Sequence, residues 1–297
     1  MTLQIGNDDG ARGLDWLELT RAFETGHALP KAEIADTFLY RGTDTLLNRS
    51  AWIDGLGIAV KCATVFPGKD PMINGAVSLF RDADGVLEAY IDFHLITKWK
   101  TAGDSLWAAL RLARPDSRNI LIIGSGTVAR SLVEAYSAGF PQARFTIWSR
   151  TRANAQALAL QTGAEVAEDL EASVRGADII SCATMSTEPV LNGTWLQPGQ
   201  HVDLIGAYRP DMREADDTVL QRGRLFVDSF DTTLGHIGEL KIPLERGAIA
   251  RADVLADNYD GPFARTCQSE ITVFKNGGGA HLDLMTARYV LDRYLAD

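Results

Sequence analysis

The apolar positions of this chain follow two grammars, and the change falls near residue 115. Over 15–22 the spacing is helical, with Leu14, Leu17, Leu19 and Phe23 on one side, which predicts an amphipathic helix. The run 55–65, GLGIAVKCATV, is apolar except for Lys61 and predicts a buried strand. Residues 75–80 and 86–92 are rich in strand formers, and the RDADG between them is a hairpin turn signal. A helix is predicted over 97–113, with Leu106, Ala109, Leu110 and Ala113 on one face, ended by Arg114-Pro115-Asp116.

Beyond Pro115, five apolar runs (120–124, 144–148, 177–183, 201–206 and 225–228) alternate with helical patterns. The helix after the first run carries Val128, Leu132, Val133 and Tyr136 on one side, and the second covers 152–161. Alternation of this kind implies βαβ units and a parallel sheet covered on both faces. The expected class is α/β, with a doubly wound parallel sheet at 117–275. After a glycine-rich break, the terminal segment has an amphipathic helical pattern (Leu282, Leu284, Met285, Tyr289, Val290). Its return to the first part would make a discontinuous α+β domain of 1–116 and 276–297.

Charge narrows the partners. The 297 residues hold 39 acidic and 29 basic side chains, a formal net charge of −10, and such a field repels nucleic acid and anionic membrane. A small anion needs only a local basic site. No apolar run approaches the roughly 20 residues of a spanning helix. Cys62, Cys182 and Cys267 form no C-x-x-C pair, so neither a disulfide framework nor a zinc site is expected. The polar, acidic N-terminus does not read as a signal peptide, and a cytoplasmic protein is expected. His27, His94, His201, His236 and His281 lack metal-ligand spacing, and Cys182 reads as a buried, inert thiol.

The candidate chemistry begins at ILIIGSGTVARSL. Gly124, Gly126 and Ala129 form G-x-G-x-x-A where a strand becomes a helix. Gly124 permits the tight turn, Gly126 leaves room for a pyrophosphate, and Ala129 lets helix and strand approach. The helix start offers free N–H groups to the phosphates, so Ser125, Thr127 and Val128 join the expected contacts. The alternative is an ordinary tight turn, which the flanking strand and helix patterns disfavour. An NAD-binding sheet of this type places an acid roughly 20 residues on. Between Glu134 and Glu165 there is none; the second strand instead runs into Ser149-Arg150-Thr151-Arg152. Guanidinium pairs with phosphate in a planar, bidentate way, so NADP(H) is expected rather than NAD(H).

The stretches GIAVKCATVFPG, NGAVSLFRDADGVLEAYID, LITKWKTAGDSLWAALRLARPDSRNILIIGSG, IWSRTRANA, GADIISCAT, IGAYRPDMREAD and EITVFKNGGG, in this order, resemble the ornithine cyclodeaminase and mu-crystallin family. The resemblance covers nearly the whole chain. It implies a substrate and dimerisation domain joined to a Rossmann domain, a homodimer, and a site in the cleft between the domains. Lys61 matches the family lysine that meets the substrate near the nicotinamide. The motif L-T-x-x-R-T-A-A reads Ile96-Thr97-Lys98-Trp99-Lys100-Thr101-Ala102-Gly103, so Lys100 stands for the carboxylate-binding Arg and loses its fork. Where ornithine cyclodeaminases carry G-x-D-x-P, this chain has Gly206-Ala207-Tyr208-Arg209-Pro210, with Tyr208 in the Asp position. TLLNRSAW, 45–52, resembles the T-L-L-x-R-P-A-W segment of the cyclic imino acid reductases, with Ser50 for Pro.

The resemblance therefore implies an NADPH-dependent reductase of Δ1-pyrroline-2-carboxylate or its six-membered homologue, with Lys61 and Lys100 on the carboxylate. Arg41 and Arg49 are candidates for the family's early substrate Arg, with Thr101 and Tyr208 also on the substrate side. Thr184 and Gly206 are expected to border the nicotinamide, and Phe274, Lys275 and Gly277 to return to the cleft. Asp283 reads as a helix-start residue. Other readings within reach are an ornithine cyclodeaminase-type lyase with resident NAD, an alanine or N-alkyl-amino-acid dehydrogenase, and a non-catalytic NADPH binder.

Overall fold

The strand-forming runs of the first third pair into one sheet; the computed structural model describes residues 2–296. The strands are β1 (Leu3–Ile5), β2 (Glu33–Arg41), β3 (Asp44–Ile53), β4 (Gly57–Val65), β5 (Ile73–Phe80) and β6 (Leu87–Asp92), in the order β1-β6-β5-β4-β3-β2. β2 to β6 form an antiparallel meander, and β1 joins β6 in parallel. The meander turns at Gly42 and Gly85, both at positive φ (58° and 67°), a conformation that glycine alone adopts without steric cost. In β4 the period of two puts Gly57, Ala59, Lys61 and Ala63 on the buried face, so a lysine enters the interior flanked by alanines.

α1 (Asn7–Gly10) touches β6, α2 (Trp16–His27) packs on the terminal helix, and α3 (Phe93–Leu112) follows β6. The Asp15 carboxylate caps α2 by accepting the Glu18 N–H at 2.9 Å, and the helix buries Trp16, Leu19 and Phe23. α3 starts four residues before the predicted 97, because the Asp92 carboxylate accepts the Leu95 N–H at 2.9 Å and caps it there.

The second part contains β7 (Asn119–Ile123), β8 (Arg144–Trp148), β9 (Glu165–Val166), β10 (Ile179–Cys182), β11 (His201–Leu204), β12 (Arg224–Val227), β13 (Val254–Ala256) and β14 (Thr272–Lys275). All pair in parallel, in the order β13-β12-β14-β11-β10-β7-β8-β9. From β7 the chain proceeds to β8 and β9 on one side, then crosses to β10 and β11 on the other. The switch point between β7 and β10 is where such sheets hold ligands, outside the carboxyl ends. The connecting helices are α4 (Thr127–Gly139), α5 (Arg152–Thr162), α6 (Leu170–Gly176), α7 (Asp217–Arg222), α8 (Phe230–Thr233) and α9 (Gly238–Arg246). Leu121, Ile123, Ile180, Val202 and Leu204 sit in one core, each worth about 1.5–3 kcal/mol of apolar burial.

Five strands of this sheet were expected from apolar runs, and eight are present. β9 and β13 are too short to show a pattern. β14 lies in the terminal segment, and its place between β11 and β12 is set by non-local pairing. The terminal helix, α10 (Ala280–Ala296), returns to α2 and β4; a Cβ on Gly26 would stand 2.7 Å from the Met285 sulfur. Contacts divide the chain into Met1–Gly103 with Gly278–Asp297, and Asp104–Gly277. The division falls inside α3, whereas the sequence expectation sets it after the helix, at 116/117.

Candidate active site

In the first unit, β3, β4, α3 and α10 bring three cations to one carboxylate. The Lys61 Nζ donates to Asp283 Oδ1 at 2.9 Å and to Thr97 Oγ1 at 2.8 Å, and lies 4.5 Å from the centre of the Phe93 ring. Lys100, one helical turn after Thr97, has its Nζ 3.6 Å from the same Asp283 oxygen and donates to the Gly278 carbonyl at 2.5 Å. Arg49 is the β3 partner of Lys61 in the ladder; it donates to Gly278 O at 2.6 Å and grips Asp36 through Nε and Nη2 at 3.0 and 2.9 Å. Lys61 and Lys100 are each 4% exposed, and Asp283 is 1% exposed.

Asp36 and Asp283 pair with Arg49, Lys61 and Lys100, so the cluster is rich in positive charge. A buried charge is costly unless paired, so these groups hold one another in place. Burial lowers the Lys61 pKa to about 8; Asp283 opposes this, while Lys100 and Arg49 add to it. Burial pushes the Asp283 carboxyl up, but Lys100, Lys61 and Arg49 outweigh it and hold it below its ordinary value.

The structure thus gathers Lys61, Lys100 and Arg49, with Thr101 half-buried next to Lys100 on α3. Arg41 is elsewhere: its side chain is 79% exposed at the end of β2 and pairs with Asp44 at 2.7 Å. Asp283 stands in the first turn of α10, as the helix-start reading expects, and its carboxylate also accepts from Lys61. An acid among the apolar residues of AHLDLM is the signal that could have found this pairing.

In the second unit the glycine turn follows β7. Gly124 has φ +132°, and a Cβ there would come within 2.4 Å of the Ala183 carbonyl oxygen. Gly126 is the N-cap of α4 and faces open space, with no atom within 4 Å of where a Cβ would be. The first turn of α4 has neither an acidic residue nor a side-chain cap, so its N–H groups remain for an anion. Thr127 is exposed and Val128 half-buried in that turn, while Ala129 is buried against the sheet. The Ser125 hydroxyl donates to Ser149 Oγ at 3.0 Å, tying the turn to the end of β8. These residues fit a dinucleotide pyrophosphate.

The arginines after β8 divide. Arg150 is exposed and has no ion-pair partner among the described residues. Arg152, next to the α5 N-cap Thr151, is held by Glu168 through both guanidinium nitrogens, one at 2.8 Å. Glu168 lies just beyond the acid-free interval, and β9 brings it back beside β8.

Across the switch point, the Thr184 N–H and hydroxyl donate to Glu214 Oε1 at 2.7 and 2.9 Å, and the Gly206 and Ala207 N–H groups to Oε2 at 2.6 and 3.1 Å. Glu214 and its support Glu239 are buried acids that the sequence reading does not single out, although Glu214 stands within the IGAYRPDMREAD stretch that carries the family resemblance. Tyr208 is 48% exposed. Phe274 is buried against Phe263 in the core, Lys275 donates to the Leu204 and Asn276 carbonyls, and Gly277 packs against Thr233. These side-chain and backbone contacts lie within their own unit. His201 is buried on Thr272, and no group of three or more His, Cys, Asp or Glu among the described residues could hold a metal ion. Among the same residues, no helix is long and apolar enough to cross a membrane.

A glycine turn at the switch point of a parallel sheet, with a separate buried lysine cluster for a small anion, defines a Rossmann-type oxidoreductase. The chain belongs to the ornithine cyclodeaminase/mu-crystallin family, whose profile matches residues 57–297. It is 50% identical to the Delta(1)-pyrroline-2-carboxylate reductase of Paracoccus denitrificans over 296 residues, covering 95% of this chain and 94% of that protein. It is 35% identical to the ketimine reductase mu-crystallin of Mus musculus over 243 residues, 80% of this chain and 76% of the other. The solved Thermococcus litoralis Delta(1)-pyrroline-2-carboxylate reductase, in complex with NADH and L-proline, shares the fold with a TM-score of 0.90 at 23% identity over 99% of this chain and 98% of that one.

Proposed function

We propose that this chain is an NADPH-dependent reductase of cyclic α-imino acids, converting Δ1-pyrroline-2-carboxylate to L-proline and Δ1-piperideine-2-carboxylate to L-pipecolate. The observation that carries the reading is the meeting of Lys61 and Lys100 on Asp283 and of Lys100 and Arg49 on the Gly278 carbonyl, a concentration of positive charge suited to a substrate carboxylate. The 50% identity to a reductase of this name supports it. When bound, the reduced nicotinamide supplies the hydride equivalent that turns C=N into CH–NH. Lys100 and Arg49 hold the carboxylate and so orient C2. Lys61, kept by Asp283 and Thr97, keeps the imine nitrogen protonated, and its pKa of about 8 suits that task near neutrality. The backbone of the glycine turn binds the pyrophosphate, and Arg150 meets the 2′-phosphate, with Arg152 joining once Glu168 releases it.

Tyr208 in place of the lyase Asp argues against deamination of ornithine. The test is oxidation of NADPH and of NADH with the five- and six-membered imino acids, alongside ammonia release from ornithine. No turnover with either imino acid overturns the reading, and a strong preference for NADH overturns its cofactor. A cytoplasmic homodimer belongs to the same proposal, with exposed Phe38, Leu39 and Tyr40 on β2 as the apolar surface to cover. Light scattering on the eluting protein decides the oligomeric part.

A further inference from the structure

Four donors from three residues converge on one buried carboxylate in the second unit. Glu214 is 0% exposed and takes Thr184 on one oxygen and Gly206 and Ala207 on the other. Thr184 follows β10 and Gly206 follows β11, so one side chain ties the carboxyl ends of two neighbouring parallel strands. The approach leaves no slack: a Cβ on Gly206 would lie 2.0 Å from the Thr184 oxygen and 2.5 Å from Glu214 Oε1.

Glu214 is held in turn. Its own N–H and that of Ala215 donate to Glu239 Oε2 and Oε1 at 2.6 and 3.0 Å, and Glu239 stands in the first turn of α9. Two buried carboxylates in series are expensive: burial, and for Glu214 the nearby Glu239, push their pKa values up, with the buried Lys275 opposing. Well-packed apolar side chains would close a core at lower cost. The expense falls at the strand ends beside the switch point, where a ligand lies. A dinucleotide whose pyrophosphate were held by the turn after β7 and whose adenosine half were held beside β8 would have its second half held by the loops after β10 and β11.

We propose that Glu214, oriented by Glu239, is a positioning residue that fixes the loops at Thr184 and Gly206 for the nicotinamide half of the cofactor. It rests on the reading of the second unit as dinucleotide-binding. In Glu214→Gln the amide keeps one acceptor but turns an NH2 group toward backbone donors, so one of the two loops loses its anchor.

The experiment is fluorescence or calorimetric titration of wild type and Glu214→Gln with the preferred reduced dinucleotide, and with the adenosine fragment that matches it, 2′,5′-ADP or ADP. The variant is expected to bind the dinucleotide about 10- to 100-fold more weakly and the fragment within about twofold, as befits loss of charge-assisted hydrogen bonds on one half only. Equal weakening of both ligands means a merely structural role and overturns the proposal, as does no change in either. If Glu214→Gln does not fold, Glu239→Gln withdraws the orientation without touching the loops, and the same difference is expected at about 3- to 10-fold. A wild type that binds neither dinucleotide nor fragment overturns the underlying reading and the proposal with it. Binding by the wild type with no turnover of imino acids overturns the proposed reaction alone.

Discussion

The glycine turn after β7 and the lysine cluster of the first unit both suit anions, yet they are built in opposite ways. At the turn, consecutive residues present backbone N–H groups that helix geometry already orients, and the side chains serve mainly by being small. In the cluster, charged side chains from β3, β4, α3 and α10 meet, with Lys61 and Asp283 separated by 222 positions. A backbone site carries only partial charge and needs no counter-ion. A side-chain site of full charges must be balanced almost to neutrality before it is stable, and Asp36 and Asp283 do most of that balancing. The teaching is that removal of one charge should damage the cluster more than any single change damages the turn.

Lys61→Ala probes this first. It removes the closer of the two lysines from Asp283 and leaves Lys100 at 3.6 Å, and breaking a buried pair costs up to about 3–5 kcal/mol. Loss of a charge contact at the reacting centre lowers kcat/KM by about 10³-fold in steady-state assays. Dinucleotide binding, measured by fluorescence, should stay as it was; its loss would break the separation of the two sites. Gly124→Ala is the converse. With φ at +132° and a backbone oxygen 2.4 Å from the new Cβ, strain of about 1–3 kcal/mol should weaken dinucleotide affinity about 10- to 100-fold.

The pH profile sharpens the cluster's side. Lys61 is protonated below its pKa of about 8, so kcat/KM for the imino acid should fall above that pH. Lys100 disfavours the charged Lys61, so in Lys100→Met the alkaline limb moves to higher pH. For stability the sign reverses: the folded protein holds fewer protons on Lys61 between about 8 and the ordinary 10.5, so this group's contribution improves as pH rises through that window. Arg150→Ala should reduce the preference for NADPH over NADH by about tenfold, as loss of a charged phosphate contact does. Arg152→Ala should change it only about threefold, because Glu168 already holds that guanidinium. If Arg152 proves the larger, the solvent-exposed pair with Glu168 does not persist beside a phosphate.

The same contrast decides what could be read from residue order. Apolar periodicity places α2, β4 to β6, α3, β7, β8, β10 to β12, α4 and α5, and the glycine turn stands within one short stretch. Lys61 is visible as the one charge within an apolar run, and Lys100 through the motif at 96–103. β2 escapes because its side chains are mostly exposed and carry no alternation of burial. β14 escapes because only pairing with β11 and β12 makes it central.

The charge arithmetic also changes between the levels. The net −10 of the whole chain describes a surface, whereas Arg49, Lys61 and Lys100 gather in one local cluster with Asp36 and Asp283. Local order is enough to specify helices, strands and a turn whose geometry depends on near neighbours. Asp283 on Lys61, Glu168 on Arg152 and Glu214 on the Thr184 and Gly206 loops depend on contacts between distant segments. Only folding determines which acid neutralises which base, since electrostatic pairing follows distance in space and is indifferent to distance along the chain.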